Sequence, residues 1–498
     1  MEVKFNKNTC PCLRKAVCQV QNQEQTQELR LPESMPDIGR VLAGWGQVLI
    51  RGKEWSRDGV RLSGGVLVWL LYVPEDGTQP RRLETWIPFQ MDWDLPDGTT
   101  EGTVRFLPLL RFADARSVSA GKVLIRVGIG VLAQCWVRET AEVSLPEQMP
   151  DDVELLRETW PVRLPREAGE KAFEMEEELR LPPSLPRPER MVYYRMDPSV
   201  SERKVLANKL VFRGSGNLHL LYMGEDGQLH NWDFELPFSQ YAQLEGSYSP
   251  DAQGDVSMAM TSMELEPDEE GNLRLKAGLT GQYLVDDRQM VETVGDAWSP
   301  FRETDLRRQT LQLPAQLDNR RENIYGEQTL PIQADVVTDA VFLPDFPRQK
   351  RTENGIQLEY PGQFQVLYYG EDGRLHGASA RWEGIQNIPA GDNSRVLAVP
   401  MSGSVQAAAG NGQIQMKAEL PVELTATAEQ SIPMVTELEL KQSKQPDPGR
   451  PSLILRRAGE SSLWELAKVS GSTMEAIRRA NSLAGEPLPD QMLLIPII

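Results

Sequence analysis

Three markers recur in the same order along this chain, and a chain so built folds largely as copies of one unit. The clearest is a strand-like run closed by Glu-Asp-Gly. It reads Leu71-Tyr72-Val73-Pro74-Glu75-Asp76-Gly77, then Leu221-Tyr222-Met223-Gly224-Glu225-Asp226-Gly227, then Leu367-Tyr368-Tyr369-Gly370-Glu371-Asp372-Gly373, so the glycines are spaced by 150 and 146 residues. Upstream stands a Leu-Pro marker: Glu28-Leu29-Arg30-Leu31-Pro32, Glu178-Leu179-Arg180-Leu181-Pro182 and Thr310-Leu311-Gln312-Leu313-Pro314. From its proline to the turn glycine is 45 residues in copies one and two and 59 in copy three, which predicts about 14 inserted residues around 339–355. Downstream of each turn is a tryptophan, Trp86, Trp232 or Trp382.

Within a copy the apolar residues follow period two. Val66, Val68, Leu70 and Tyr72 alternate, as do Leu218, Leu220 and Tyr222. Such alternation bounded by Gly, Asp and Pro reads as antiparallel strands and hairpins. Asp-Gly suits a tight hairpin in which both central residues take φ > 0. The fold class expected is mainly β: three tandem antiparallel sandwich or open-barrel-like modules, then a small α+β (βααβ) domain. The boundaries expected are an N-terminal arm at 1–28, copies at 29–165, 170–300 and 304–440, a proline-rich linker at 441–452 and the last domain at 453–498. Val153-Glu154-Leu155-Leu156, between copies, reads as a short helix.

The net charge of −19 argues against nucleic acid, whose phosphates need clustered Lys and Arg. No segment approaches the ~18 consecutive apolar residues of a membrane helix. The first twenty residues lack the apolar core of a signal peptide, so a cytoplasmic location is expected. The four cysteines, Cys10, Cys12, Cys18 and Cys135, are no disulfide framework. The first three read as free thiols, with a crosslink or half a zinc site as the alternatives. His219, His230 and His376 are the only histidines; the last two sit alike, three residues past the turn glycine, and read as a repeated hairpin position. No Ser-His-Asp set, calcium loop or phosphate-binding glycine loop is present. No catalytic residue, metal site or cofactor is therefore expected, and the chain reads as non-enzymatic.

From Leu453 the pattern changes. Ser462-x-x-Glu465 and Ser472-x-x-Glu475 read as capping boxes of two short helices. Leu463, Leu466 and Ala467 form one apolar face, Gly471 ends the first helix, and strands flank the pair. The run Gly459-Glu460-Ser461-Ser462-Leu463-Trp464, with Asn481, Leu483 and Pro489-Asp490-Gln491-Met492-Leu493-Leu494-Ile495-Pro496, resembles the LysM domain. Glu460-Ser461 and Asp490 depart from that pattern, in or beside the loops. The resemblance implies a site for N-acetylglucosamine polymers built from Gly459, Glu460, Ser461, Asn481 and Leu483. Trp464 reads either as an anchor for a partner or as packing against the two strands.

The Leu-Pro-x-x-x-Pro start, the Leu-Tyr-x-x-Glu-Asp-Gly hairpin and a terminal LysM-like module together resemble the SipL-type spore coat proteins of clostridial sporulators, with repeated SPOCS domains and one LysM domain. The resemblance implies a structural adaptor in the mother-cell cytosol that tethers coat to the forespore surface. Its implied partner is stage IV sporulation protein A, a coat ATPase, met largely through the terminal module. The alternative is an envelope or phage-tail protein that binds peptidoglycan.

Overall fold

The period-two segments become long antiparallel strands. The computed structural model describes residues 2–77, 79–99, 101–268, 272–444 and 449–498. In copy 1, after the two-residue β1 (Glu2–Val3), the strands are β2 (Phe5–Arg30), β3 (Ile38–Trp55), β4 (Gly59–Pro74), β5 (Arg81–Asp94), β6 (Thr103–Ser119) and β7 (Lys122–Pro146). The meander β3-β4-β5 makes one sheet and β2-β7-β6 the other. Between them Val60, Leu62, Val66, Val68 and Leu70 of β4 meet Val123, Ile125, Val127, Ile129 and Val131 of β7, all at most 2 % exposed. Each such side chain contributes about 1.5–3 kcal/mol through burial.

Copy 2 repeats this with β8 (Glu154–Leu179), β9 (Pro188–Leu206), β10 (Lys209–Gly224), β11 (Leu229–Gln243), β12 (Gln253–Pro267) and β13 (Leu273–Trp298), in sheets β9-β10-β11 and β8-β13-β12. Copy 3 has β14 (Arg302–Leu330), β15 (Ala334–Pro344), β16 (Arg348–Thr352), β17 (Gly355–Gly370), β18 (Leu375–Pro389), β19 (Arg395–Pro400), β20 (Ser404–Gly410) and β21 (Gln413–Ser443). Two strands are broken here: β15 and β16 share β17, and β19 and β20 share β21. Pro344 and Pro347 stand at the first break and Pro400 at the second, where a missing N–H ends a ladder. Every copy is thus a two-sheet sandwich.

Several expectations are corrected. The segment 1–28 is no arm: β2 pairs along its whole length with β7, Phe5 opposite Pro146 and Arg30 opposite Lys122. Residues 154–156 are strand, since β8 runs unbroken through the boundary expected near 165–170. Of the expected linker, 441–443 belong to β21 and 445–448, with Pro446 and Pro448, lie outside the described residues. The third Leu-Pro marker, expected at Leu313-Pro314, is out of register with the other two. Leu313-Pro314 lies mid-strand, opposite Gln430 and Glu429, whereas Leu330 ends β14 with Pro331 directly after it, much as Leu31-Pro32 follows β2. With that register the insertion vanishes.

The turn itself also differs. Gly77, Gly227 and Gly373 have φ near +70°, but their aspartates do not take positive φ. Gly227 N–H donates to the Gly224 carbonyl, and Gly224 N–H to that of Gln228. This is a type I turn with a glycine bulge rather than a mirror-image turn. The first two markers co-occur for a physical reason. The Tyr72 and Tyr222 hydroxyls donate to the Pro36 and Pro186 carbonyls, 3.1 Å each, tying the hairpin to the Leu-Pro-x-x-x-Pro loop. Trp86 and Trp382 each cover a glycine of the neighbouring strand, Gly65 and Gly362; Trp232 is 38 % exposed and not equivalent.

The copies close on one another. The outer halves of the long strand pairs, 5–13 with 138–146, 154–164 with 287–298 and 302–313 with 430–443, project as three ribbons. Cys12, Ala141 and Val143 of the first, Val162, Leu164 and Val291 of the second, and Leu313, Ile432 and Met434 of the third form a shared core. Val3 of β1 joins Ala297, Leu438 and Leu440 in the next layer, with β1 paired to β21. The sandwiches also touch pairwise: Trp45 stacks on Tyr193 at 4.3 Å, Arg203 bridges to Glu423 and Arg111 to Asp345.

Candidate functional site

The C-terminal module is built from β22 (Leu453–Arg457), α1 (Leu463–Ser470), α2 (Met474–Asn481) and β23 (Met492–Pro496). Ser462 caps α1 in a reciprocal box with Glu465, and Gly471 ends it at φ 64°. The second cap is Thr473, whose hydroxyl accepts from Ala476 N–H, not Ser472 as expected; Ser472 is buried. The two helices cover one face of the β22–β23 pair, burying Leu463, Leu466, Ala467, Ile477, Leu493 and Ile495.

That core does not stop at the module. Trp298 and Leu156, from the ribbon of copy 2, belong to the same cluster. Trp464 is 5 % exposed, and its indole N–H donates to Asp296 at 2.9 Å. Lys468 pairs with the same Asp296 oxygen at 2.5 Å, and Arg308 of copy 3 with the other at 2.7 Å. Burial works against ionisation of Asp296, yet Lys468, the Trp464 indole and the Ala297 N–H hold its carboxyl below the usual range. The Glu154 carboxylate of copy 2, its pKa raised by burial, accepts Met474 N–H at the start of α2. Trp464 is therefore spent inside the chain, and the reading of it as a partner's anchor is corrected.

The remaining expected site residues divide. Gly459 (φ 63°) and Glu460 lie exposed in the first loop, with Gly459 N–H on the Pro489 carbonyl, and Ser461 is half-buried beside them. Asn481 is a latch: its amide donates to the Ile477 and Leu494 carbonyls and accepts from Leu494 N–H. Leu483 packs against the module's core. The two loops are tied by Glu486, whose carboxylate accepts Leu463 N–H at 2.7 Å. The face of the sheet away from the helices is apolar and open: Leu453, Leu455, Met492 and Leu494 are 51, 63, 49 and 41 % exposed. Sequence reasoning overlooked this face. Its signal is apolar residues at alternate positions on strands already covered on one side.

Elsewhere, His219 lies between Asp233 (2.6 Å) and Asp339 (2.9 Å), while Tyr193 donates to Asp339 at 3.0 Å. Burial disfavours its charge, but the two carboxylates win and its pKa rises to about 9. Asp339 belongs to copy 3, so this is an inter-copy clasp. His230 and His376 each bond the turn aspartate, Asp226 or Asp372, and pack on Tyr222 or Tyr368. Among the described residues, no three His, Cys, Asp or Glu side chains are grouped to hold a metal. Cys10 donates to Gln289 and Cys12 lies in the ribbon core, with burial pushing both thiols up. No helix is long and apolar enough to cross a membrane.

Fold and site define a mainly-β chain of three interlocked sandwiches with a small α/β module fastened to the second. Residues 188–267, which span β9 to β12, match the model of the family described as SipL, SPOCS domain. That match covers most of copy 2 and none of the other copies or the C-terminal module. No curated protein and no solved structure matches the chain.

Proposed function

We propose that this chain is a non-enzymatic adaptor of endospore coat assembly, which tethers coat to the forespore surface from the mother-cell cytosol. The C-terminal module, which resembles LysM, docks stage IV sporulation protein A. The observation that carries this reading is how the module's surfaces are divided. Trp464 and Lys468 fasten one side to Asp296, while the far face of the sheet stays open with four exposed apolar side chains. Isolated apolar residues at a surface are ordinary; a contiguous set marks an interaction face. The SPOCS match in copy 2 and the resemblance of the repeats supply the sporulation setting. Nucleic acid is not a partner in this reading, given the −19 charge.

Co-purification tests it. Recovery with stage IV sporulation protein A should require residues 453–498, and equal recovery after their deletion refutes the docking role. A second reading, an N-acetylglucosamine polymer held at the loops, draws on exposed Glu460 and on Leu488, which is 72 % exposed. Calorimetric titration of the full chain with N-acetylglucosamine oligomers separates the two.

A further inference from the structure

The open face adjoins an open edge. In an antiparallel pair, facing residues alternately exchange both main-chain bonds or neither. Leu455 faces Leu494, and the Leu494 N–H and carbonyl are both taken by Asn481. Leu455 and Leu494 are thus a non-bonded pair, and the main-chain N–H and carbonyl of Leu455 point away from β23, along the outer edge of β22. Asn481 closes the edge of β23, so β22 presents the open edge of this sheet. Its side chains Leu453 and Leu455 are more than half exposed. Open edges invite another strand, and natural proteins usually guard them with charge, proline or cover. Here the guard is one-sided: Arg456 and Arg457 end the strand, and among the described residues Arg456 has no ion pair.

We propose that β22 is a strand-addition site. It takes an extended segment of the docking partner, apolar at alternate positions and acidic at the end that meets Arg456 and Arg457. Main-chain bonds to Leu455 would supply affinity, and the apolar face and arginines specificity. A second copy is a poor occupant. Antiparallel self-pairing about Leu455 would set each Arg457 opposite the other chain's Leu453, and would bring together two chains each of charge −19. The inference rests on the docking reading above.

The test uses the full chain and stage IV sporulation protein A, with four variants measured together. Leu455→Pro removes the outward N–H and no bond to β23; proline is tolerated on such an edge. Leu455→Ala keeps that donor, Leu453→Lys with Leu455→Lys alters the face, and deletion of 453–498 tests the docking reading itself. The Trp464 indole resonance reports that the module stays fastened. We expect the deletion to abolish binding, and Leu455→Pro and the double lysine variant to weaken it about tenfold or more, with Leu455→Ala milder. Loss on deletion with wild-type binding by Leu455→Pro overturns strand addition while leaving the docking reading intact. Undiminished binding after deletion overturns both. A wild-type dimer that Leu455→Pro dissolves assigns the edge to a second copy and overturns the proposal.

Discussion

Replacing Asp296 with alanine should unfasten the terminal module while leaving the sandwiches folded. Its carboxylate accepts the Trp464 indole N–H, the one acceptor among the described residues, and pairs with Lys468 and Arg308. The side chain of Asp296 is only 15 % exposed, and Trp464 is 5 % exposed. Losing the acceptor leaves a buried donor unsatisfied, at a cost of about 1–3 kcal/mol. The two ion pairs have partners 40 % and 52 % exposed, so each adds about 0–1 kcal/mol after solvent screening. The fastening should weaken by about 2–4 kcal/mol, enough to raise the detached fraction by well over tenfold. Hydrogen exchange at the Trp464 indole and the α1 amides reads this directly, with Asp296→Asn, which keeps one acceptor, falling between. Because the Asp296 carboxyl is held below its usual range, the contribution is present above the unfolded pKa near 4 and is lost as pH falls through the lower folded value. Unchanged exchange at the indole in Asp296→Ala at neutral pH would refute this account of how the module is held.

Further outcomes follow from the same interactions. The His219 clasp should stabilise the joined copies by at most about 3 kcal/mol below its unfolded pKa near 6.5, and that gain should fade as pH rises through the folded value. With the latter at about 9, the stability of wild type to denaturant should fall over that window while that of His219→Gln stays flat. Ile125→Ala, at a fully buried position of β7, should cost about 2–5 kcal/mol in chemical denaturation. Deleting residues 2–13 should lower the melting temperature, since it strips Val3 and Cys12 from cores shared by the copies; an unshifted melt would restore the reading of a free arm. In native protein a thiol reagent should reach Cys18 first, because burial pushes the thiols of Cys10, Cys12 and Cys135 up, the last to about 12.

Much of the fold was legible because it depends on local pattern. Alternation marks strands, and Gly77, Gly227 and Gly373 mark hairpins whichever turn type results. The misplaced third Leu-Pro marker shows the limit. Leu313-Pro314 and Leu330-Pro331 look alike as dipeptides, and only pairing with β21 shows which ends a strand. The segment 1–28 reads as an arm for a similar reason. Its polar residues alternate on a ribbon exposed on one side, and its partner strand lies about 90 to 140 residues away. At the candidate site, the helix, its cap and Gly471 were readable, but the fate of Trp464 was not.

What the sequence determined alone is the strand content, the tripling and the switch to helices after Leu453, since each follows from spacing within a few residues. Tertiary structure decided the rest: the threefold ribbon core, the His219 clasp and the burial of Trp464 against Asp296 and Trp298. His219 meets Asp339 120 positions away, Trp464 meets Asp296 168 positions away, and the ribbon core joins residues from Cys12 to Met434. No local pattern encodes them, because a buried donor or a half-covered apolar face states that it needs a partner without stating which.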